Sequence, residues 1–146
     1  MKAVLQRVKS SHVEVDGKIV GEIQHGWLIL LAVGRGDTLE IADYVADRCV
    51  KVRAFADPQG KMNLSVVDVG GSVLVVSQFT LYGDCIRGRR PSFDGAAPPE
   101  LANSLYEHFC GSIRGQGVSV QQGVFQADMQ VSLVNDGPVT LLIEKT

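Results

Sequence analysis

The chain has 146 residues, 45% of them hydrophobic and 21% charged, with a formal net charge of −2. A chain of this size buries roughly 68–70% of its unfolded surface and needs no disulfide or metal staple, so it reads as one globular domain spanning 1–146. No apolar run approaches the roughly 20 residues of a membrane span, and Arg7 and Lys9 interrupt any signal-peptide core, so the cytoplasm is the expected compartment.

Met1 to Val8 reads as a first strand. Ser11 to Val15 and Lys18 to Ile23 flank Asp16-Gly17, a strong short hairpin signal. Trp27 to Val33 is a continuous apolar run between glycines, as expected of a strand covered on both faces. From Leu39 the period changes: apolar residues at 41, 42, 45, 46, 49 and 50 fall on one face of a helix reaching Val52. Asp37, with Glu40 three residues later, reads as its N-terminal cap pair. A turn is expected at Asp57-Pro58-Gln59-Gly60, and Gly70-Gly71 precedes the most β-like run, Ser72 to Phe79. Pro98-Pro99-Glu100 opens a second helix, since proline is tolerated in a first turn. Leu101, Leu105, Phe109 and Ile113 line one side of it, and Gly115 and Gly117 end it. Two or three strands follow, with Val134-Asn135-Asp136-Gly137-Pro138-Val139-Thr140 as a turn between Met129–Val134 and Val139–Ile143. The fold class is α/β, with mixed, largely antiparallel sheets and two main helices.

The residue inventory excludes several chemistries. Cys49, Cys85 and Cys110 are too widely spaced for a zinc motif, and Cys49 and Cys110 sit on apolar helix faces as small core residues. His12, His25 and His108 lie in no Gly-x-Ser-x-Gly or His-Glu-x-x-His context, so neither a hydrolase triad nor a zinc protease is visible. Asp84 and Asp136 are candidates for a carboxylate pair whose separation the sequence leaves open. Ser77-Gln78-Phe79-Thr80 places hydroxyls, an amide and a ring where a strand ends. That pattern suits a solvated strand face, and equally an acyl-transfer site in which backbone N–H groups form an oxyanion hole. Arg87-Gly88-Arg89-Arg90-Pro91 is the only dense basic cluster; it suits a solvated loop or a contact with nucleic-acid phosphates.

Ser77-Gln78-Phe79-Thr80-Leu81-Tyr82-Gly83-Asp84 together with Val134-Asn135-Asp136-Gly137-Pro138-Val139-Thr140 resembles the D-aminoacyl-tRNA deacylase family. The likeness runs from Gln6-Arg7-Val8 through Gly60-Lys61-Met62-Asn63-Leu64 and Arg90-Pro91-Ser92-Phe93 to the end. It implies a three-layer α/β/β domain that forms a homodimer, acts on tRNA, and uses neither metal nor cofactor, membrane nor DNA. It implies that Ser77, Gln78, Phe79 and Thr80 line the catalytic pocket for the terminal adenosine and its ester. Thr80 has no base beside it, and a threonine without one is a poor nucleophile; assistance by the substrate's ribose 2′-OH, with Phe79 and Thr80 offering backbone N–H groups, fits better. The resemblance further implies that Gly137-Pro138 is cis and enters the partner's pocket, where rigid backbone excludes an L side chain. Met129 and Arg7 match positions lining or bracing that pocket, and Arg87, Arg89 and Arg90 would meet the acceptor stem. The sequence departs from the family pattern at Cys85 and Ile86, where threonine and a basic residue are usual. The rival readings are an editing hydrolase for a mischarged L-aminoacyl-tRNA and a dimeric RNA-binding module without turnover.

Overall fold

The computed structural model describes every residue from Met1 to Thr146. The chain begins with β1 (Lys2–Val15), turns into β2 (Lys18–Ile23) and continues as β3 (Gly26–Ala32). Helix α1 (Leu39–Lys51) follows, then the small hairpin β4 (Phe55–Ala56) and β5 (Met62–Leu64) around the expected Asp57–Gly60 turn. Next come β6 (Ser72–Ser77), a 3-10 turn over Phe79–Tyr82, α2 (Pro99–Gly115), β7 (Ser119–Gln122) and β8 (Gln130–Glu144). Asp16 and Gly17 both take positive φ, 51° and 76°, the conformation a two-residue hairpin turn demands.

Both helices bury the stripe their spacing predicts. In α1 it is Ala42, Val45, Ala46, Cys49 and Val50. In α2, Leu105, Phe109 and Ile113 are buried together with Tyr106 and Cys110. The predicted cap of α1 is corrected by one residue. Thr38 accepts the Ile41 N–H at 3.3 Å, while Asp37 is drawn inward. Its carboxylate accepts from the Met1 ammonium and from the Gly34 N–H, each at 2.6 Å. An ammonium partner is the stronger attraction for a carboxylate that is only 8% exposed.

The main sheet mixes orientations. β3, β6 and β7 are parallel neighbours, and β1 runs antiparallel to β3, β2 and β8. Along one edge of β1, residues Lys2–Val8 pair with β3 and Ser11–Val15 with β2; β8 follows the other edge from end to end. Side chains alternate across the sheet. Trp27, Ile29, Leu31, Val73 and Val75 enter a 26-residue core under the helices. Leu28, Leu74 and Val76 join Val8, Val13 and Ile23 in a second core on the opposite face. That second core is roofed by the β1–β2 hairpin folding back over β6 and β7. Contact there is close: a Cβ on Gly21 would lie 2.6 Å from the Gln122 carbonyl oxygen and 3.1 Å from Leu74 Cδ1. Helices, sheet and folded-over hairpin make the three layers, α/β/β.

Three expectations need correction. The strands read as Met1–Val8 and Ser11–Val15 are one strand, because shifts in register against β8 absorb the interruption between Gln6 and Ser10. The run read as a strand through Phe79 leaves the sheet at Ser77 and tightens into the 3-10 turn. The stretch 134–140 is no hairpin tip. It is a bulge within β8: Gln6 pairs with Thr140 and Val8 with Asn135, so Asp136–Val139 stand opposite Arg7 alone. A turn signal in the sequence is overridden by a partner strand long enough to pair on both sides of it.

The packing distinguishes two glycines. Gly21→Ala should destabilise the fold by about 1–3 kcal/mol through the overpacked hairpin roof. Gly111, exposed on α2 with nothing within 4 Å of an added Cβ, should gain about 0.5–1 kcal/mol on substitution by alanine. Urea unfolding of the two variants checks both signs; equal shifts would contradict the packing described.

Candidate active site

The parallel strands β3, β6 and β7 end side by side on a cavity of about 710 Å³. Arg35 follows β3, Ser77–Phe79 end β6, Phe125–Met129 follow β7, and the first turn of α2 closes the far wall through Pro99 and Ala102. Carboxyl ends of parallel strands leave their backbone groups unpaired and open a crevice, which is where open α/β sheets bind ligands. The volume is that of a small-molecule pocket.

The local chemistry follows from how β6 stops. Gln78 N–H donates to Leu31 O at 2.8 Å, the last tie to β3, and Leu81 N–H then donates to Gln78 O at 3.2 Å. The first N–H groups of a helical turn have no acceptor within it. Those of Phe79 and Thr80 donate to no carbonyl among the turn and loop hydrogen bonds. Two adjacent N–H groups are thereby left without a backbone acceptor, that of Phe79 on a residue lining the cavity and that of Thr80 on the next residue along, which lies outside the lining. The Thr80 hydroxyl is exposed and accepts from Gln78 Nε2 at 2.6 Å. An amide is no base, so this hydroxyl has no activating partner.

Tyr82 holds the turn in place. Its ring is wedged between two backbone segments: a Cβ on Gly34 would stand 2.5 Å from Tyr82 Oη, and one on Gly95 3.2 Å from Cδ1. Lys2 Nζ lies 4.9 Å above the ring centroid. Burial, with the Asp37 and Glu144 charges, pushes its phenol up to about 12, so it stays neutral. Phe79 projects from the same turn, 54% exposed, with its ring centroid 5.1 Å from that of Phe93 in an edge-on contact. Sequence reasoning gave Tyr82 no role and missed Arg35. Tyr82 lies within the singled-out Ser77–Asp84 stretch, but its role depends on Gly34 and Gly95, far away in sequence; Arg35 lies in a loop with no motif.

The structure groups some predicted site residues and separates others. Ser77, Gln78, Phe79 and Met129 share the cavity. Met129 packs where Gly123 leaves room, its sulfur 2.7 Å from the site of a Cβ. Gly137 and Pro138, joined by a cis peptide, are exposed on the β8 bulge and do not line the cavity of their own chain. Arg7 spans the foot of the bulge, donating from Nε to Asp136 O at 3.1 Å and from Nη1 to Ala54 O at 2.5 Å. Arg87, Arg89 and Arg90 are exposed on a loop whose neck is closed by Asp84 and Ser92 through paired backbone bonds of 2.7 and 3.0 Å.

The remaining candidates have other partners. Asp84 accepts from Ile86 N–H and Asp136 faces Arg7 and His25, so the two carboxylates belong to different loops. His12 contacts Glu14, and His108 bonds Asp43 at 2.8 Å across the helices. Burial raises the Cys49 thiol well above its ordinary range and pushes Cys110 up to about 12, which leaves both protonated and unreactive; Cys85 is exposed.

A family model described as D-Tyr-tRNA(Tyr) deacylase matches residues 4–144. The chain belongs to this deacylase family. A D-aminoacyl-tRNA deacylase of Geotalea daltonii is 58% identical over 144 residues, covering 99% of this chain and 96% of the relative. One of Fervidobacterium nodosum is 56% identical, covering 99% and 97%. Among solved structures, the c-Myc DNA Unwinding Element Binding Protein superposes with a TM-score of 0.94 at 36% identity, covering 100% of this chain and 99% of that one. A probable eukaryotic D-amino acid tRNA deacylase shares the fold, with a TM-score of 0.81 at 20% identity.

Proposed function

We propose that this chain, acting as a single deacylase domain in the cytoplasm, hydrolyses the ester between a D-amino acid and the terminal ribose of tRNA. The observation that carries the chemistry is the pair of unspent N–H groups at Phe79 and Thr80, beside a cavity large enough for an aminoacyl nucleoside. Water adds to the ester carbonyl carbon, and the negative charge that develops on its oxygen is held by the two N–H groups. Collapse of that intermediate expels the ribose oxygen, which takes the proton given up by the water; the neighbouring 2′-OH relays it. Free D-amino acid and intact tRNA result. Fixed donors aimed at a developing oxyanion are often the largest catalytic contribution, and an ester already activated by its nucleotide needs mainly positioning.

Selectivity is assigned to the β8 bulge of a second chain. Gly137 and Pro138 are exposed and lie outside the lining of their own cavity, and Arg7 ties down their base. β8 has a free edge and exposes Val134 at 53% and Leu142 at 62%, which favours a homodimer burying this side of the sheet. Seated against a neighbour's cavity, the rigid bulge holds the substrate's amino group through its carbonyl oxygens and occupies the space of an L side chain, while a D side chain points outward; without that anchor D turnover falls as well as selectivity. Glycine offers nothing to exclude. The loop of Arg87, Arg89 and Arg90 holds stem phosphates without reading sequence.

The test is deacylation of D-Tyr-tRNA, L-Tyr-tRNA and Gly-tRNA by purified protein. Release of D-tyrosine and glycine with L-tyrosine retained is the expected outcome. Turnover of L-Tyr-tRNA alone would indicate an editing hydrolase, and no turnover a binding module.

The Thr80 hydroxyl is dispensable on this mechanism. Thr80→Ala should lose less than about tenfold in kcat, against roughly 10⁴ or more for loss of an essential nucleophile. A covalent acyl adduct on Thr80 by mass spectrometry would overturn the water mechanism.

A further inference from the structure

We infer that Arg35 binds the 5′-phosphate of the substrate's terminal nucleotide, and so anchors the ester from the side of the cavity that β3 supplies. The inference rests on the deacylase reading for the identity of the ligand. Its basis is the charge of the cavity wall. Arg35 is the only basic residue among the lining groups, and Asp128 the only acidic one. The basic loop of Arg87, Arg89 and Arg90 contributes nothing to that wall.

Arg35 is held ready for an anion. Its backbone N–H donates to Gly95 O at 3.2 Å, and its Nε donates to the Asp94 carbonyl oxygen. With Nε so fixed, the two terminal nitrogens of the guanidinium remain, and they make no hydrogen bond or ion pair within the chain. The carboxylate closest in sequence, Asp37, is occupied by the Met1 ammonium and the Gly34 N–H. The segment bearing Arg35 is itself fixed, because Gly34 packs against the Tyr82 ring and bridges to Ala96.

A guanidinium with one nitrogen tied back and two free presents the fork that binds a phosphate through parallel N–H···O bonds. The other walls suit the rest of a nucleotide. Phe93 and Phe125 give apolar aromatic surface for a base, and Ser77–Phe79 receive the ester end. In an aminoacyl-adenosine terminus the 5′-phosphate is the anionic group closest to the ester, so one cation on this wall meets one charge on the ligand.

The experiment compares ligands that differ by that single phosphate. Calorimetry gives the affinities of wild type, Arg35→Ala and Arg35→Lys for AMP and for adenosine. Steady-state kinetics use D-tyrosyl-adenosine with and without its 5′-phosphate. Wild type should favour the phosphorylated member by about tenfold, the size expected of a solvent-accessible charge-assisted contact. Arg35→Ala should bring that ratio close to one, and Arg35→Lys should keep part of it. A ratio that survives in Arg35→Ala, or a loss shared equally by both members of each pair, overturns the assignment. An Arg35-dependent preference for AMP without hydrolysis of either ester would sustain the phosphate site and sink the deacylase reading. Hydrolysis of both esters with no Arg35-dependent preference would do the reverse.

Discussion

Parallel pairing of β3 with β6 begins where their backbones meet at Gly26, at a distance no side chain tolerates: a Cβ there would stand 1.8 Å from Ser72 O. Gly26 takes φ 156°, and the preceding carbonyl of His25 accepts the Ser72 N–H at 3.0 Å. From that contact the register runs without a break to Leu31 opposite Ser77. It sends Trp27, Ile29, Val73 and Val75 toward the helices and Leu28 and Leu74 toward the hairpin roof. A slip of one residue would exchange the two faces of β6 and expel its valines from the helical core. The same register determines where β6 runs out of partner. The chain must then turn at Phe79, and the unspent N–H groups arise there as a consequence of sheet geometry.

Rigidity at the turn comes from beneath it. Tyr82 is gripped by segments that follow β3 and precede α2: a Cβ at Gly34 would collide with the ring, and one at Gly95 would press on it. The 3-10 turn, the Arg35 segment and the start of the Phe93–Ala97 segment therefore form one packed unit around a neutral phenol. A catalytic geometry that depends on backbone groups needs such support, since backbone donors have no rotamer with which to correct a misplacement.

Much of this was legible in the residues. The apolar stripes of α1 and α2, the Asp16-Gly17 hairpin and the doubly buried β3 follow from periodicity and turn chemistry, which are local. The long-range features were not. Asn135-Asp136-Gly137-Pro138 carries every local mark of a hairpin tip, and becomes a bulge only because β1 pairs with both flanks. Asp37 looks like a helix cap until the Met1 ammonium, brought by β1, claims it. At the site, Ser77–Thr80 and Gly137-Pro138 stood out because the family resemblance marks them. Arg35, Phe125 and Tyr82 reach their places through the convergence of three strand ends, and no spacing in the sequence encodes that convergence.

The division of labour between cavity and bulge is the claim on which the proposed specificity turns. Within one chain, Gly137 and Pro138 lie outside the cavity lined by Ser77–Phe79, so the role proposed for them calls for a neighbour whose two-fold relation exchanges bulge for pocket. Subunit complementation tests this directly. One variant carries Arg7→Ala, which loosens the bulge but keeps the pocket; the other carries Ala97→Trp, which fills the pocket but keeps the bulge. Each alone should be nearly inactive on D-Tyr-tRNA. Random reassortment of equal amounts gives half mixed dimers, each with one sound composite site, so activity should return to about a quarter of wild type. A mixture no more active than the mean of its two components would contradict a site shared between chains.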